Sequence, residues 1–328
     1  MGTLTMIQKK SLFIFILTVL CVAFAQTSEF NPKSLAYILQ ADQFQANRSE
    51  CIELLAKAER DCIVIDYMYD GSEEGKWTAA EIKKFRGKKS DTKVLAYISI
   101  GEAEDYRPYW KKNWDQDKNG KPDQEAPIFL NQMNPEWQGN YKVRYWQAEW
   151  QKIILQYLDE ILLQEFDGIY LYIVDAFEFY EYDPISKKWV DNLINPETQK
   201  SYRDDMIQWV LSIVEYTHQK NPQFLIIPQN GSQLLTSSEY ANGISGIGLE
   251  DVFTNDHKKQ EQDHTEFILQ NIKPLQKMAK PVFIIEYTKN KELQEYCIKK
   301  AYQYNFVLLI TNRALTQIGI SNKPQKKQ

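Results

Sequence analysis

Eight short apolar runs punctuate the chain, at residues 35–40, 62–68, 93–101, 168–174, 224–229, 246–253, 281–288 and 306–311. Each is rich in Val, Ile, Leu or Tyr and bounded by polar residues, so each reads as a strand buried on both faces. Helical patterns lie between most of them. Residues 151–163 place apolar side chains at i, i+3, i+4 and i+7, and residues 206–216 and 267–278 do likewise. Strand alternating with helix implies a parallel sheet with right-handed crossovers. Eight such units favour closure over an open doubly wound sheet. The predicted fold class is therefore α/β, a single (β/α)8 TIM barrel.

A carboxylate stands at or just past the end of most runs. Asp66, Glu102, Asp175, Glu250 and Glu286 all occupy such positions. The C-terminal strand ends of a barrel form its active-site face. Acids gathered at one mouth raise some of each other's pKa values and so create acid/base pairs. Paired carboxylates are the tools of glycosidic bond cleavage. Glu250 is the leading candidate, because Gly246 and Gly248 alternate in the strand before it and let another group approach closely. Asp251, its neighbour, should point the other way. Tyr97, Tyr170, Tyr172, Trp110, Trp114, Trp137 and Trp146 supply flat faces for sugar rings, although more than half of such residues are expected to serve packing.

Two long connections break the rhythm. Residues 104–146, after the third run, are rich in Trp, Asn, Pro, Asp and Gly, and should form an aromatic lid over the mouth. Residues 180–201 form a second aromatic loop after the fourth run. Within the first, Asp115-Gln116-Asp117-Lys118-Asn119-Gly120 matches half of a calcium loop. The twelfth position is Ala126 where a bidentate Glu is needed, so a hydrogen-bonded turn is expected there.

Residues 1–25 have the plan of a secretory signal: Lys9 and Lys10, an apolar stretch of about 13 residues, then Ala23-Phe24-Ala25. Cleavage would leave one domain over residues 26–321 and a basic tail at 322–328. Its net charge would move from −5 to −7, a poor match for nucleic acid. A secreted, monomeric protein with no membrane attachment after cleavage is expected. Cys51, Cys62 and Cys297 would remain, and one disulfide with one free thiol is expected, the pairing left open. Asn47-Arg48-Ser49 is a glycosylation sequon. Asn230-Gly231-Ser232 is another, expected to stay unmodified at a strand end in the site. His218, His257 and His264 form no HExxH, and no CxxC or GxGxxG occurs, so neither a metal nor an organic cofactor is expected.

Longer motifs carry a family resemblance. The segment Ala96-Tyr97-Ile98-Ser99-Ile100-Gly101-Glu102-Ala103-Glu104-Asp105-Tyr106-Arg107 resembles the signature of glycoside hydrolase family 114, the endo-α-1,4-polygalactosaminidase-like proteins. Phe166-Asp167-Gly168-Ile169-Tyr170-Leu171 with Val174-Asp175-Ala176, Pro135-Glu136-Trp137, Gln229-Asn230-Gly231 and Gly248-Leu249-Glu250-Asp251-Val252-Phe253 are similar to further segments of that family. The resemblance spans about residues 36–312. It implies a (β/α)8 barrel that hydrolyses α-1,4-linked galactosamine-containing polysaccharide, with a carboxylate pair from the fourth and sixth strands. Glu250 takes the sixth-strand place. In the fourth strand the family pattern Leu-Asp-x-x-Asp reads Leu171-Tyr172-Ile173-Val174-Asp175, with tyrosine for the first acid. Three outcomes are open: Asp175 partners Glu250, Tyr172 acts as the nucleophile, or the barrel is inactive and binds carbohydrate only. Tyr97, Glu102, Asp66, Asn230, Glu286 and Trp110 are the expected substrate-binding residues.

Overall fold

The computed structural model describes residues 30–321. The expected signal segment and basic tail lie outside the described residues. All eight runs form strands: Leu35–Ile38, Cys62–Asp66, Lys93–Ser99, Gly168–Tyr172, Leu225–Pro228, Ile247–Glu250, Val282–Glu286 and Val307–Ile310. The first five form one parallel sheet in sequence order, and the last three form another. Two seams join them into the (β/α)8 barrel. Between the fifth and sixth strands Gln229 bridges Gly248, and Asn230 N–H donates to Gly248 O at 2.8 Å. Between the eighth and first, the Ser321 hydroxyl accepts from Leu35 N–H at 2.8 Å and donates to Leu308 O at 2.7 Å.

Strand side chains alternate between two apolar layers. Leu35, Tyr37, Val64, Leu95, Tyr170 and Leu309 fill the barrel interior. Ile38, Ile63, Ile65, Val94, Leu171 and Ile284 face the surrounding helices. Burial on both faces explains why the runs lack a polar stripe. It also explains the cysteines. Cys62 is inside the barrel, whereas Cys51 and Cys297 lie in the outer layer, so the wall separates Cys62 from both. All three are free, and the expected disulfide is not formed.

The helices follow their signals with one exception. Asn47 caps Arg48–Lys57 by accepting from Ser49 and Glu50 N–H, and Thr78 with Glu81 makes a capping box on Ala79–Phe85. Helix Ala148–Leu163 extends the predicted 151–163 span at its N-terminal end, and Tyr202–His218 extends the 206–216 span at both ends. The predicted helix over 267–278 is instead two, Gln262–Asn271 and Lys273–Lys277, because Pro274 has no N–H and starts a new helix better than it continues one.

The lid has its own sheet. Glu102–Glu104, Asn140–Val143 and Leu130–Met133 pair antiparallel above the third strand. Trp110 packs within it, with ring centroids 4.6 Å from Tyr141 and 5.1 Å from Trp114. The calcium-like loop is a turn: Asp115 accepts from Asn119 and Gly120 N–H and from the Tyr141 hydroxyl. The second loop carries a short hairpin, Tyr182–Asp183 with Lys188–Trp189.

Candidate active site

The fourth, fifth and sixth strands all end in left-handed residues: Ile173 (φ 57°), Asn230 (φ 60°) with Gly231 (φ 59°), and Asp251 (φ 52°). A β-branched residue at positive φ is a strained outlier. These turns close off three adjacent strands abruptly. The short 3-10 turn Val174–Ala176 follows Ile173 and carries Asp175. The Asn230 amide donates to Asp175 Oδ2 at 3.2 Å, and its oxygen accepts from the Glu250 N–H at 3.3 Å. One side chain thus links the two carboxylate-bearing strand ends.

Glu250 faces the barrel interior, two residues above Gly248. The Tyr170 hydroxyl occupies the space at Gly248, 1.8 Å from where a Cβ would stand. Any larger residue there would collide with it. Burial pushes Glu250 up to about 7; Asp251 and Asp175 add to the rise, and the Tyr287 hydroxyl opposes it by donating to Oε1. Burial likewise pushes Asp175 up to about 7, helped by Glu178 and opposed by Asn230. Two acids at one mouth therefore titrate in the range where one can hold a proton while the other is ionised.

Tyr172 lies among them, its ring 5.2 Å from that of Tyr97. Burial, then the charges of Glu250 and Asp175, hold its hydroxyl well above the ordinary tyrosine range. It is a neutral hydroxyl near pH 7, which disfavours the phenolate that a nucleophilic tyrosine needs.

Five expected substrate-binding residues are engaged elsewhere. Asp66 is buried and accepts two bonds from Arg107, at 2.9 and 2.6 Å. Glu102 is held by Asn134, Asn140 and Lys142, which fasten the lid to the third strand end. Tyr97 is buried, with its hydroxyl 3.3 Å from Glu104. Trp110 belongs to the lid's packing. Glu286 is fully buried and accepts from Phe253 N–H (2.7 Å), Thr254 N–H (3.0 Å) and the Thr254 hydroxyl. Its parity explains this: Ile284 and Glu286 face outward, whereas Phe283, Ile285 and Tyr287 face inward. Among the expected binding residues Asn230 is the one that bonds both carboxylate-bearing strand ends, while the charge of Glu102 also raises Asp175 and Tyr97 packs on Tyr172.

Three residues not singled out from the sequence matter here. Tyr287 supports Glu250. Arg313 lies 4.3 Å from the Tyr287 ring centre and forks onto Asp251, with 3.0 Å to each oxygen. Arg107 also bonds Glu104 at 2.7 Å, and so clamps two buried acids at once. Strand parity would have found Tyr287; Arg107 closes the family signature segment but nothing local marks its partners, and nothing local marks Arg313. Among the described residues, no group of three or more His, Cys, Asp or Glu side chains is arranged to hold a metal ion.

The family model of glycoside hydrolase family GH114 matches residues 22–326. The chain belongs to family GH114. An uncharacterised protein of Methanocaldococcus jannaschii is 40% identical over 243 residues, which cover 72% of this chain. This chain's match spans 63% of that relative's length. An uncharacterised protein of Thermotoga maritima is 32% identical over 246 residues, covering 74% of this chain and 69% of that one. Among solved structures, the glycoside hydrolase domain of PelA from Pseudomonas aeruginosa superposes with a TM-score of 0.61 at 15% identity, covering 88% of this chain and 98% of that one. Aspergillus fumigatus Ega3 in complex with galactosamine gives 0.59 at 17% identity, covering 87% and 93%. At such identities the likeness concerns the fold, and it agrees with the GH114 barrel.

Proposed function

We propose that this GH114 barrel is a secreted hydrolase of α-1,4-linked, galactosamine-containing polysaccharide, with Glu250 and Asp175 as its carboxylate pair. The observation that carries the reading is the joint one: both acids are pushed up to about 7, and Asn230 bonds both strand ends. The protonated member of the pair gives its proton to the glycosidic oxygen as the C–O bond breaks. The ionised member either bonds the anomeric carbon or takes a proton from the water that does. Glu250 is the acid/base, with one oxygen held by Tyr287 and the other free to meet substrate. Asp175 is its partner. Tyr172 contributes a neutral hydroxyl at the same mouth. Support for an amino sugar comes from the acidic mouth, which attracts a cationic ring, and from the galactosamine bound in the Ega3 complex.

A second reading is an inactive barrel that binds carbohydrate. It is favoured by Tyr172, which stands where the family pattern has an acid. The deciding experiment is product release from partially deacetylated α-1,4-galactosaminogalactan by wild type, Glu250→Gln and Tyr172→Asp. Turnover in wild type that vanishes in Glu250→Gln supports the hydrolase. Turnover only in Tyr172→Asp supports the inactive barrel.

A further inference from the structure

The fourth and fifth loops leave the site side by side, and two side-chain bonds tie them together. The inner one is Asn230 to Asp175. The outer one, a turn further along each loop, is Gln233 Nε2 to Glu178 Oε1 at 2.6 Å. Beyond the outer bond opens a groove of about 750 Å³, bordered by Glu178, Gln233, Trp189, Asp204 and Phe267. Two groove-lining residues, Glu178 and Gln233, thus stand three residues along the chain from Asp175 and Asn230.

Its lining combines two features that the mouth alone does not offer. Trp189 is 67% exposed and Phe267 51% exposed, so large aromatic faces are open to solvent. Trp189 is not a loose side chain: the hairpin pairs it with Tyr182, with ring centroids 5.1 Å apart. The charge balance is also one-sided. Glu178, Glu181, Asp191 and Asp204 border the groove against a single guanidinium, Arg203. Arg203 is already spent on Glu181 and Asp191, at 2.7 Å each. Among the described residues neither Glu178 nor Asp204 makes an ion pair; Glu178 bonds Gln233, with the charges of Arg203 and His264 nearby, and Asp204 accepts from the Ser201 hydroxyl. Exposed aromatic faces beside carboxylates that are not held in an ion pair suit a ring that carries both C–H faces and an ammonium group. Ligand clefts commonly measure about 300–1,000 Å³, and this one falls in that range.

We propose that this groove is an extension subsite, holding cationic amino-sugar units of the same glycan beyond the bond that Glu250 and Asp175 cleave. Trp189 and Phe267 lie against the sugar rings, and Glu178 and Asp204 take the ammonium groups. The proposal rests on the reading of the site as a galactosaminidase. It makes cleavage depend on chain length, as expected of an enzyme that cuts within a polymer.

The test uses galactosamine oligomers of increasing length, free and N-acetylated, with wild type, Trp189→Ala, Phe267→Ala and Glu178→Gln. Trp189→Ala should lower kcat/KM for long free-amine oligomers about tenfold, and leave the shortest cleaved oligomer within about twofold. Loss of the same size at every length, or none at any, overturns the subsite. Titration calorimetry of the free-amine tetramer is run alongside. Saturable binding that Trp189→Ala weakens, in a protein that releases no product, keeps the groove and overturns the hydrolase. Turnover indifferent to Trp189 and Phe267 does the reverse. Equal binding of free and N-acetylated tetramer overturns the assignment of Glu178 and Asp204 to ammonium groups.

Discussion

The Tyr287 hydroxyl donates to the Glu250 carboxylate from the neighbouring strand, and Arg313 lies 4.3 Å from the centre of the Tyr287 ring. The bond favours the ionised form of Glu250 and opposes the effect of burial. Tyr287→Phe should therefore raise the Glu250 pKa above about 7. A bond to a charged group contributes about 1.5–3 kcal/mol, so a rise on the order of one pH unit is expected. With Glu250 as the proton donor, the alkaline limb of the kcat/KM profile should move to higher pH. An unmoved limb would show that Glu250 does not set it.

Glu250→Gln has opposite consequences for activity and stability. Turnover should fall by several orders of magnitude. Stability should rise, but only at higher pH. The folded pKa, about 7, is above the usual glutamate value of 4.5. The wild type is thus penalised as pH climbs from about 4.5 to 7, and stays penalised above that range. The variant should match wild type near pH 4 and exceed it by about 1–3 kcal/mol at pH 8. Urea unfolding at the two pH values measures the difference.

Arg107→Ala leaves Asp66 and Glu104 buried without their cation. Breaking such a pair from one side costs about 3–5 kcal/mol. The Tm should fall steeply, or soluble protein should be lost. Arg107→Lys should recover only part of the loss, because an ammonium cannot fork onto Asp66 and reach Glu104 together.

Glu286→Ala separates a structural acid from a binding one. Three donors, from Phe253 and Thr254, lose their acceptor. Each orphaned buried donor costs about 1–3 kcal/mol, so unfolding should need distinctly less urea. KM for the glycan, measured well below the lowered Tm, should stay unchanged. A raised KM would return Glu286 to the substrate.

Much of the barrel was legible because both determinants are local. Apolar runs of strand length mark the eight strands, and their double burial removes any polar face. Gly248 was legible as a close-approach position, although not that Tyr170 is what approaches. Glu286 was expected to bind substrate from its strand-end position; its parity, opposite to Tyr287 and also within the sequence, turns it instead toward Phe253 and Thr254. The cysteines could not be read this way, since spacing says nothing about which side of the barrel wall Cys62 faces.

The sequence alone determined the eight strands, their alternation with helices and the position of Glu250 at the end of the sixth, because periodicity and glycine placement act over a few residues. The tertiary structure alone decided which acids are committed to structure and which remain at the mouth. Arg107 reaches back 41 residues to Asp66, Asn230 spans 55 to Asp175, and Tyr287 spans 37 to Glu250. A carboxylate's protonation depends on burial and on such partners, and closure of the barrel brings them together.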